Sequence, residues 1–330
     1  MLIQCRGHFP LCFSIWLAAA TLIATPGLTR AQQKFPVKPI RLVVAFTAGG
    51  TTDILARLIA PGMNAAFGQP LVIEPRPGAG GTLAAAIVAR APPDGYTLLA
   101  TSPAFAISAV MNTNLPYDTL KDFSGVGEIG SSTTVLVVSP SLGVKTVKEL
   151  VAYANARPGK LLFGSTGAFT STHFSAERFR AAAGFKAQHV AFKGQPEFLI
   201  EIMADRVQFG APGLTVALPM IKDGKLLPLV VANPTRIAAL LDVPASPEVL
   251  PGWGRDGSQA WLAPAGTPLA IRRQISRELA RNVALPEVRE RLQNLGFHVT
   301  TATPEEHEKN LRADIETFAR IARESGLKPK

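Results

Sequence analysis

The segment from Arg41 to Phe67 constrains the fold most strongly, because it changes from a strand pattern to a helix pattern within a few residues. After Arg41, residues 42–46 are apolar and include two β-branched valines, which indicates a buried strand. The small polar run 47–53 follows, and apolar residues then recur at helical spacing. Glycines at 49 and 50 let the backbone approach a ligand, and the helix dipole favours a negative charge there. The pattern predicts an anion site; the alternative is an ordinary helix start, because Gly, Thr and Asp cap helices without binding anything.

A second stretch repeats this pattern 117 residues further along, counted from Phe46 to Phe163. A strand pattern at Leu161–Phe163 leads into the small polar run 164–172 and then into a helical pattern at 173–183. Strand and helix patterns alternate through most of the chain, which predicts an α/β fold with mostly parallel sheets. We therefore expect two similar lobes, each with a helix start at the carboxyl end of a strand, where ligands bind in such sheets.

The predicted lobe 1 comprises residues 32–137 and 250–330, and the predicted lobe 2 comprises residues 138–249. The segment 242–257 is rich in Pro and Gly and is predicted to connect the lobes.

Ser102 follows a predicted strand at 96–101 and begins another helix. Residues 303–306, with the sequence Thr-Pro-Glu-Glu, predict the capped start of a long final helix.

The first 31 residues have the pattern of a secretory signal peptide. Arg6 lies in a polar start, an apolar run covers 13–24, and small residues precede a cleavage point near Ala31. The alternative is an uncleaved anchor, although about 12 apolar residues are too few to span a bilayer. Both cysteines, Cys5 and Cys12, lie in this segment, so the mature chain has neither a disulfide nor a thiolate metal site. We expect a periplasmic protein without a lipid anchor.

Charge and histidine content exclude several function classes. Two of the 34 basic residues and none of the 24 acidic ones lie in the signal, which leaves a formal charge of +8 scattered along mixed helices. This favours solvated helix faces over nucleic-acid binding, with a bias toward acidic small solutes. The four histidines of the mature chain show no metal-ligand spacing, and we expect neither a metal nor a cofactor.

Ser165 with His173 is the one candidate hydrolytic pair, and it lacks a nucleophile-elbow motif. Lys193 is either a cleft residue or an exposed turn lysine.

Several stretches, in order along nearly the whole mature chain, resemble the Bug-type extracytoplasmic receptors of tripartite tricarboxylate transporters. They are FPVKPIRLVVAFTAGGTTDILARLIAP, RPGAGGTLAAA, PPDGYTLLAT, LPYDTLKDF, VLVVSPSLGVKTVKELVAYANARPGKLLFGSTG, HVAFKGQPE and WLAPAGTP. The resemblance implies a two-domain Venus-flytrap fold of type II, which closes on a carboxylated solute and presents it to two membrane subunits. It implies a monomeric binding protein and not an enzyme.

The resemblance places the first ligand loop on 46–53 and the second on 164–173, with donors from backbone N–H groups and hydroxyls. The predicted ligand-binding residues are Phe46, Thr47, Ala48, Gly49, Gly50, Asp53, Ser102, Gly164, Ser165, Thr166, Gly167, Ala168, Phe169, Thr170, His173 and Pro212. The chain departs from the family pattern at Ala45 and Thr47, where proline is usual, and at Phe169, where glycine is common. Pro212 stands where the family often supplies an acid.

The prediction is a periplasmic carboxylate receptor that works by hinge closure. The alternatives are a secreted carboxylate sensor of the same fold without a dedicated transporter, and a hydrolase that uses Ser165 and His173. Asp53 either caps its helix or takes a direct role in the site. Without an acid at position 212, the ammonium group of an amino acid would lack a partner. We therefore expect a mono- or dicarboxylate without an amino group, including an aromatic one if Phe169 faces the cleft.

Overall fold

The computed structural model describes residues 35–254 and 257–329, so the predicted signal peptide and both cysteines lie outside the described residues. The strands are β1 (Ile40–Val44), β2 (Leu71–Pro75), β3 (Thr97–Thr101), β4 (Phe123–Ser132), β5 (Val135–Val138), β6 (Leu161–Ser165), β7 (Ala187–Ala191), β8 (Phe209–Gly210), β9 (Leu227–Val231), β10 (Ser258–Pro264) and β11 (Phe297–Ala302). The helices are α1 (Thr51–Phe67), α2 (Thr82–Ala89), α3 (Ala104–Met111), α4 (Val147–Asn155), α5 (Ser171–Ala183), α6 (Gln195–Met203), α7 (Leu214–Lys222), α8 (Ser246–Val249), α9 (Leu269–Ala284), α10 (Pro286–Asn294) and α11 (Pro304–Glu324).

These strands form two sheets, which confirms the α/β prediction. The first has the order β11-β4-β10-β3-β1-β2, with β1 parallel to β2 and β3 and with β10 antiparallel to its neighbours. The second has the order β7-β6-β8-β5-β9, with β6 parallel to β7 and β8. No helix in the described ranges is long and apolar enough to cross a membrane.

The chain passes from the first sheet to the second between β4 and β5, at residues 133 and 134. It returns through the segment between β9 and β10, which contains α8. Residues 135–137 therefore belong to a strand of the second sheet, whereas the predicted boundary put them in lobe 1.

Alternate residues of β1 face opposite layers of helices. Leu42 and Val44 pack with α1, α9 and α10, and Val43 packs with α2 and α3, all fully buried. Burial on both faces is why the strand is a continuous apolar run rather than an alternating one. Each such side chain contributes roughly 1.5–3 kcal/mol of burial free energy. The rigid sheet fixes where the loop after β1 begins.

Strand β4 lacks the hydrophobic pattern of a strand and was not predicted from the sequence. Three of its residues are glycines, and a Cβ on Gly127 would lie 2.9 Å from Ala302 O, while one on Gly125 would lie 2.8 Å from Pro304 O. The close approach of β11 and α11 therefore requires small residues where a strand normally carries β-branched ones.

The predicted cap of α11 is confirmed, because Thr303 and Glu306 form a reciprocal capping box.

Candidate functional site

Five helices begin around one cavity of about 50 Å³ between the two sheets. The lining residues at these helix starts are Gly50, Thr51 and Thr52 of α1, Ser102 and Pro103 of α3, Ser171 and Thr172 of α5, Gln195 of α6 and Gly213 of α7. No described residue of the lining carries a charged side chain. The positive ends of the helix dipoles therefore dominate the electrostatics of this space.

The first loop uses the N–H groups of its two glycines for hydrogen bonds within the loop. Gly49, at φ +75°, donates its N–H to Asp53 Oδ2 at 2.9 Å, and Gly50 donates to Thr47 O at 3.2 Å. The N–H groups of Thr51 and Thr52 have no acceptor in the described part of the chain. The donors that this loop offers to the cavity are thus the first-turn N–H groups of α1 rather than those of the glycines.

Asp53 lies under the loop and not in the lining of the cavity. Its side chain is 2% exposed, and Oδ2 also accepts a 2.8 Å hydrogen bond from Arg57 Nε. Oδ1 has no partner among the described residues. These contacts agree with the capping alternative, in which Asp53 holds the turn that places Gly50 and Thr51.

The second loop is held by a cluster of threonine hydroxyls. Thr172 Oγ1 accepts the Thr166 N–H at 2.9 Å and lies within 3.1 Å of the hydroxyls of Thr166 and Thr170. Thr170 caps α5 by accepting the His173 N–H at 3.3 Å. Phe169 has φ +63°, a backbone conformation that a non-glycine residue adopts at a cost of about 1 kcal/mol or more. This conformation explains why glycine suits the position.

Ser165 and His173 do not form the pair that the hydrolase alternative requires. Ser165 is fully buried, and its Oγ lies 2.6 Å from His189 Nε2 and donates to Gly167 O. The His173 ring packs against the His189 ring at 4.3 Å and lies 3.9 Å from Glu177 Oε1. A serine without solvent access has no route to a substrate, so the geometry does not support hydrolysis here.

Gln195 joins the two sides of the cavity. Its Nε2 donates to Thr51 Oγ1 at 3.1 Å, and its Oε1 accepts the Gly213 N–H at 2.9 Å. Thr51 belongs to the helix after β1 of the first sheet, whereas Gln195 and Gly213 follow strands of the second. Gln259 of β10 fixes the neighbouring Thr52, whose hydroxyl donates to Gln259 Oε1 at 2.9 Å.

Glycines make the contacts that close the two sides over the cavity. A Cβ on Gly194 would lie 1.7 Å from Thr47 Oγ1, and one on Gly80 would lie 2.8 Å from Ala168 O. A Cβ on Gly213 would lie 2.9 Å from Thr51 Oγ1. At these points no larger residue fits without displacing its neighbour, so the structure is a tightly closed one.

The predicted site residues divide into three groups. Four of them line the enclosed cavity: Phe46, Gly50, Ser102 and Thr166. Gly167, Ala168 and Phe169 line a more open pocket beside it, together with Gly78–Gly81 and Lys193. The described linings of both pockets exclude Thr47, Ala48, Gly49, Asp53, Gly164, Ser165, Thr170, His173 and Pro212.

Other lining residues were missed by the sequence analysis. Gln195 had a usable signal, because Gly194 and Pro196 mark another helix start directly after a strand. Gln259 on β10 and Phe318 on α11 had none, since nothing local distinguishes them from other strand and helix residues. They reach the cavity only through the packing of distant segments.

The fold consists of two β-sheets covered by helices, with a cavity between them that is lined by helix starts. This arrangement is typical of a solute-binding protein of the periplasmic type. The family model for the tripartite tricarboxylate transporter family receptor, TctC, matches residues 55–327, and the chain belongs to this family. The match begins within α1, so the first loop precedes it. The family is one of solute-binding receptors rather than enzymes.

Individual similar proteins agree with this assignment. A UPF0065 protein of Bordetella bronchiseptica is 31% identical over 327 residues, which cover 99% of this chain and 97% of the relative. An R. palustris protein solved with adipate is 30% identical with a TM-score of 0.86, covering 90% of this chain and 100% of that one. MatC from Rhodopseudomonas palustris, solved with bound malate, is 29% identical with a TM-score of 0.82, covering 87% and 99%.

Proposed function

We propose that this protein is a periplasmic receptor that captures a small carboxylate and delivers it to the two membrane subunits of a tripartite tricarboxylate transporter. The observation that carries the proposal is the enclosed cavity ringed by five helix starts, with no charged side chain in its described lining. Such a space attracts a negative charge through backbone dipoles and neutral donors. Adipate and malate, which are present in two similar structures, are both carboxylates.

The carboxylate would bind at the start of α1. Thr51 and Thr52 offer first-turn N–H groups, and the hydroxyls of Thr51 and Ser132 lie beside them. Hydrogen bonds to an ionised group contribute roughly 1.5–3 kcal/mol each, so a few of them suffice for micromolar affinity. An ammonium group would meet the same positive dipoles, which disfavours amino-acid ligands.

Capture would proceed by hinge closure about the segments that connect the sheets, residues 133–134 and the described residues 242–254. The proposed lobes are the two sheets with their helices. The contacts of Gln195 with Thr51 and of Gly194 with Thr47 require the lobes to be close together. Because the ligand is surrounded by donors from both lobes only in this form, binding shifts the population toward it. The closed surface is then what the membrane subunits recognise.

The proposal places the mature chain in the periplasm as a monomer, after removal of the signal peptide near Ala31. The positive charge of the mature chain is compatible with an anionic solute. A chromosomal deletion should abolish uptake of the ligand by cells that carry the membrane subunits. Unchanged uptake in the deletion strain would support the sensor alternative.

The binding test uses the mature chain, residues 32–330, after unfolding and refolding to remove any co-purified ligand. Calorimetric titration would compare aliphatic mono- and dicarboxylates, benzoate-type acids, citrate and acidic amino acids. We expect at least one carboxylate to bind and the acidic amino acids to bind weakly or not at all. When the free ligand concentration is 100 times Kd, binding should raise the free energy of unfolding by about 2.7 kcal/mol, which thermal unfolding can detect.

The matched variant is Gly50→Val. Gly50 has φ −77°, which any residue adopts, but a Cβ there would lie 3.2 Å from Thr47 O, and Gly50 lines the cavity, so a larger side chain takes up space at the site. We expect the variant to melt cooperatively and to lose carboxylate binding. Wild-type affinity in a well-folded Gly50→Val protein would show that the ligand binds elsewhere.

A further inference from the structure

The cavity has two chemically different ends, and the first is polar. Around Gly213, a Cβ would lie 2.9 Å from Thr51 Oγ1, 3.0 Å from Ser132 Oγ and 3.6 Å from Gln195 Oε1, so these groups meet at one point. Because Thr51 Oγ1 accepts a hydrogen bond from Gln195 Nε2, its own proton is free to be donated to a ligand. Gln195 therefore orients Thr51 as a donor, beside the N–H groups at the start of α1.

The other end of the cavity is apolar. Phe174 and Phe318 meet edge to face with ring centroids 5.7 Å apart, and Ile107 packs in the same cluster. A Cβ on Gly257 would lie 2.7 Å from Pro103 Cγ and 3.4 Å from Phe318 Cζ, which places Pro103 beside them. All four of these side chains line the cavity.

Two helix starts lie near this apolar end, those of α3 and α5, and the start of α3 offers few donors. Pro103 has no N–H, Ala104 donates its N–H to Ser102 Oγ at 3.3 Å, and Phe105 donates to Ser102 O at 3.0 Å. The start of α3 is therefore satisfied by its own chain, unlike the start of α1. No described residue of the lining supplies a cation there.

The size of the cavity limits the ligand further. The cavity has a volume of about 50 Å³ in the closed form. Such a small space favours a short ligand over a long one.

We propose that the closed cleft is selective for a short monocarboxylate with an apolar body, whose carboxylate lies at the Thr51 end. This proposal rests on the proposed function and narrows it. A second carboxylate would lie against Phe174, Phe318 and Ile107, where burial of an unpaired charge is strongly unfavourable. The receptor would therefore differ in specificity from the similar proteins that were solved with the diacids adipate and malate.

The test compares butyrate with succinate on the refolded wild-type protein by calorimetry. The two acids have similar length and differ by replacement of the terminal methyl group with a carboxylate. We expect butyrate to bind at least 100-fold more tightly than succinate, and isobutyrate to bind within about tenfold of butyrate. Succinate binding as tight as butyrate binding would overturn this proposal and leave a carboxylate receptor in place. If no carboxylate binds, the proposed function fails as well.

Variants at the apolar end provide an independent check. Ile107→Ser should lower butyrate affinity about tenfold or more and narrow the preference over succinate, with Ile107→Val as the matched apolar control. Ile107→Arg should favour succinate, because it adds a cation that lines the cavity itself, whereas Arg178 lies over the Phe174 ring, 5.8 Å from its centroid, outside the lining. Cooperative melting of each variant establishes that it folds. An unchanged butyrate-to-succinate ratio in folded Ile107→Ser would contradict the assignment of the apolar end.

Discussion

Gly194→Ala should weaken ligand binding without damaging either lobe. Gly194 has φ −157° and ψ 169°, an extended conformation that alanine adopts without strain. The new methyl group would lie 1.7 Å from Thr47 Oγ1, 2.8 Å from Thr47 Cβ and 3.0 Å from Thr47 Cγ2. Since Thr47 belongs to the first loop and Gly194 precedes α6, this overlap exists only when the two sides are closed.

The magnitude follows from the cost of overpacking. Rotating the Thr47 hydroxyl costs no hydrogen bond, because Thr47 Oγ1 has no partner among the described residues. Its Cβ cannot move without the loop, so part of the clash remains after rotation. Overpacking of this kind costs about 1–3 kcal/mol. If the closed form alone binds tightly, the dissociation constant should rise about 5- to 150-fold.

A double-mutant cycle isolates the contact. Thr47→Gly removes the three atoms that lie nearest to the new methyl group, so Gly194→Ala should cost little affinity in that background. Calorimetry of the four proteins measures the coupling, and urea unfolding of the apo proteins checks that each lobe stays intact. If Gly194→Ala binds with wild-type affinity, or if Thr47→Gly does not relieve its effect, the closed contact is not part of the liganded form.

The remaining predictions concern closure, the polar end and acid stability. Small-angle scattering should show a more compact protein at saturating ligand, and identical profiles would argue against hinge motion. Gln195→Glu should abolish binding, because it adds a negative charge and removes the donor to Thr51, whereas Gln195→Ala should weaken binding about tenfold; the reverse order would refute the role of the amide. Burial raises the pKa of Glu128, but hydrogen bonds from His307, Asn310 and Ser258 outweigh it and hold the pKa below its usual value. A lowered folded-state pKa means that stability is present above the unfolded pKa of about 4.3 and is lost as pH falls through the folded value. Glu128→Gln should therefore lower the free energy of unfolding at pH 7. It should also reduce the decrease in that free energy between pH 5 and 3, measured by urea unfolding, and a decrease as large as in the wild type would contradict this.

The glycine turns after two strands were readable from local sequence. A continuous apolar run, a small polar turn and a helical period specify strand, turn and helix within about 25 residues, without reference to the rest of the chain. Both predicted loops begin helices beside the cavity, and Phe46, Gly50 and Thr166 line it. Capping signals act over three residues, which is why the start of α11 was predicted correctly.

The hydrogen-bond partners of individual groups within those loops could not be predicted from the sequence. Whether Gly49 offers its N–H to a ligand depends on Asp53, whose side chain turns back to accept it. Whether Ser165 meets His173 or His189 depends on the pairing of β6 with β7, which places Phe163 opposite His189. Phe169 packs beside α3 and α11 and lines the more open pocket, whereas Phe174 lines the smaller cavity.

The sequence by itself determined an α/β fold with glycine-rich helix starts, because those features are encoded in short periodic segments and turns, whereas the receptor class followed from the family resemblance. Tertiary structure alone decided the shape and polarity of the cavity. Gln259 arrives on a strand 207 residues from Thr52, and Phe318 arrives on the last helix. The glycines of β4 likewise look like turn residues until β11 and α11 pack against them. Contacts between distant segments depend on how whole layers pack, and no local pattern of side chains records that packing.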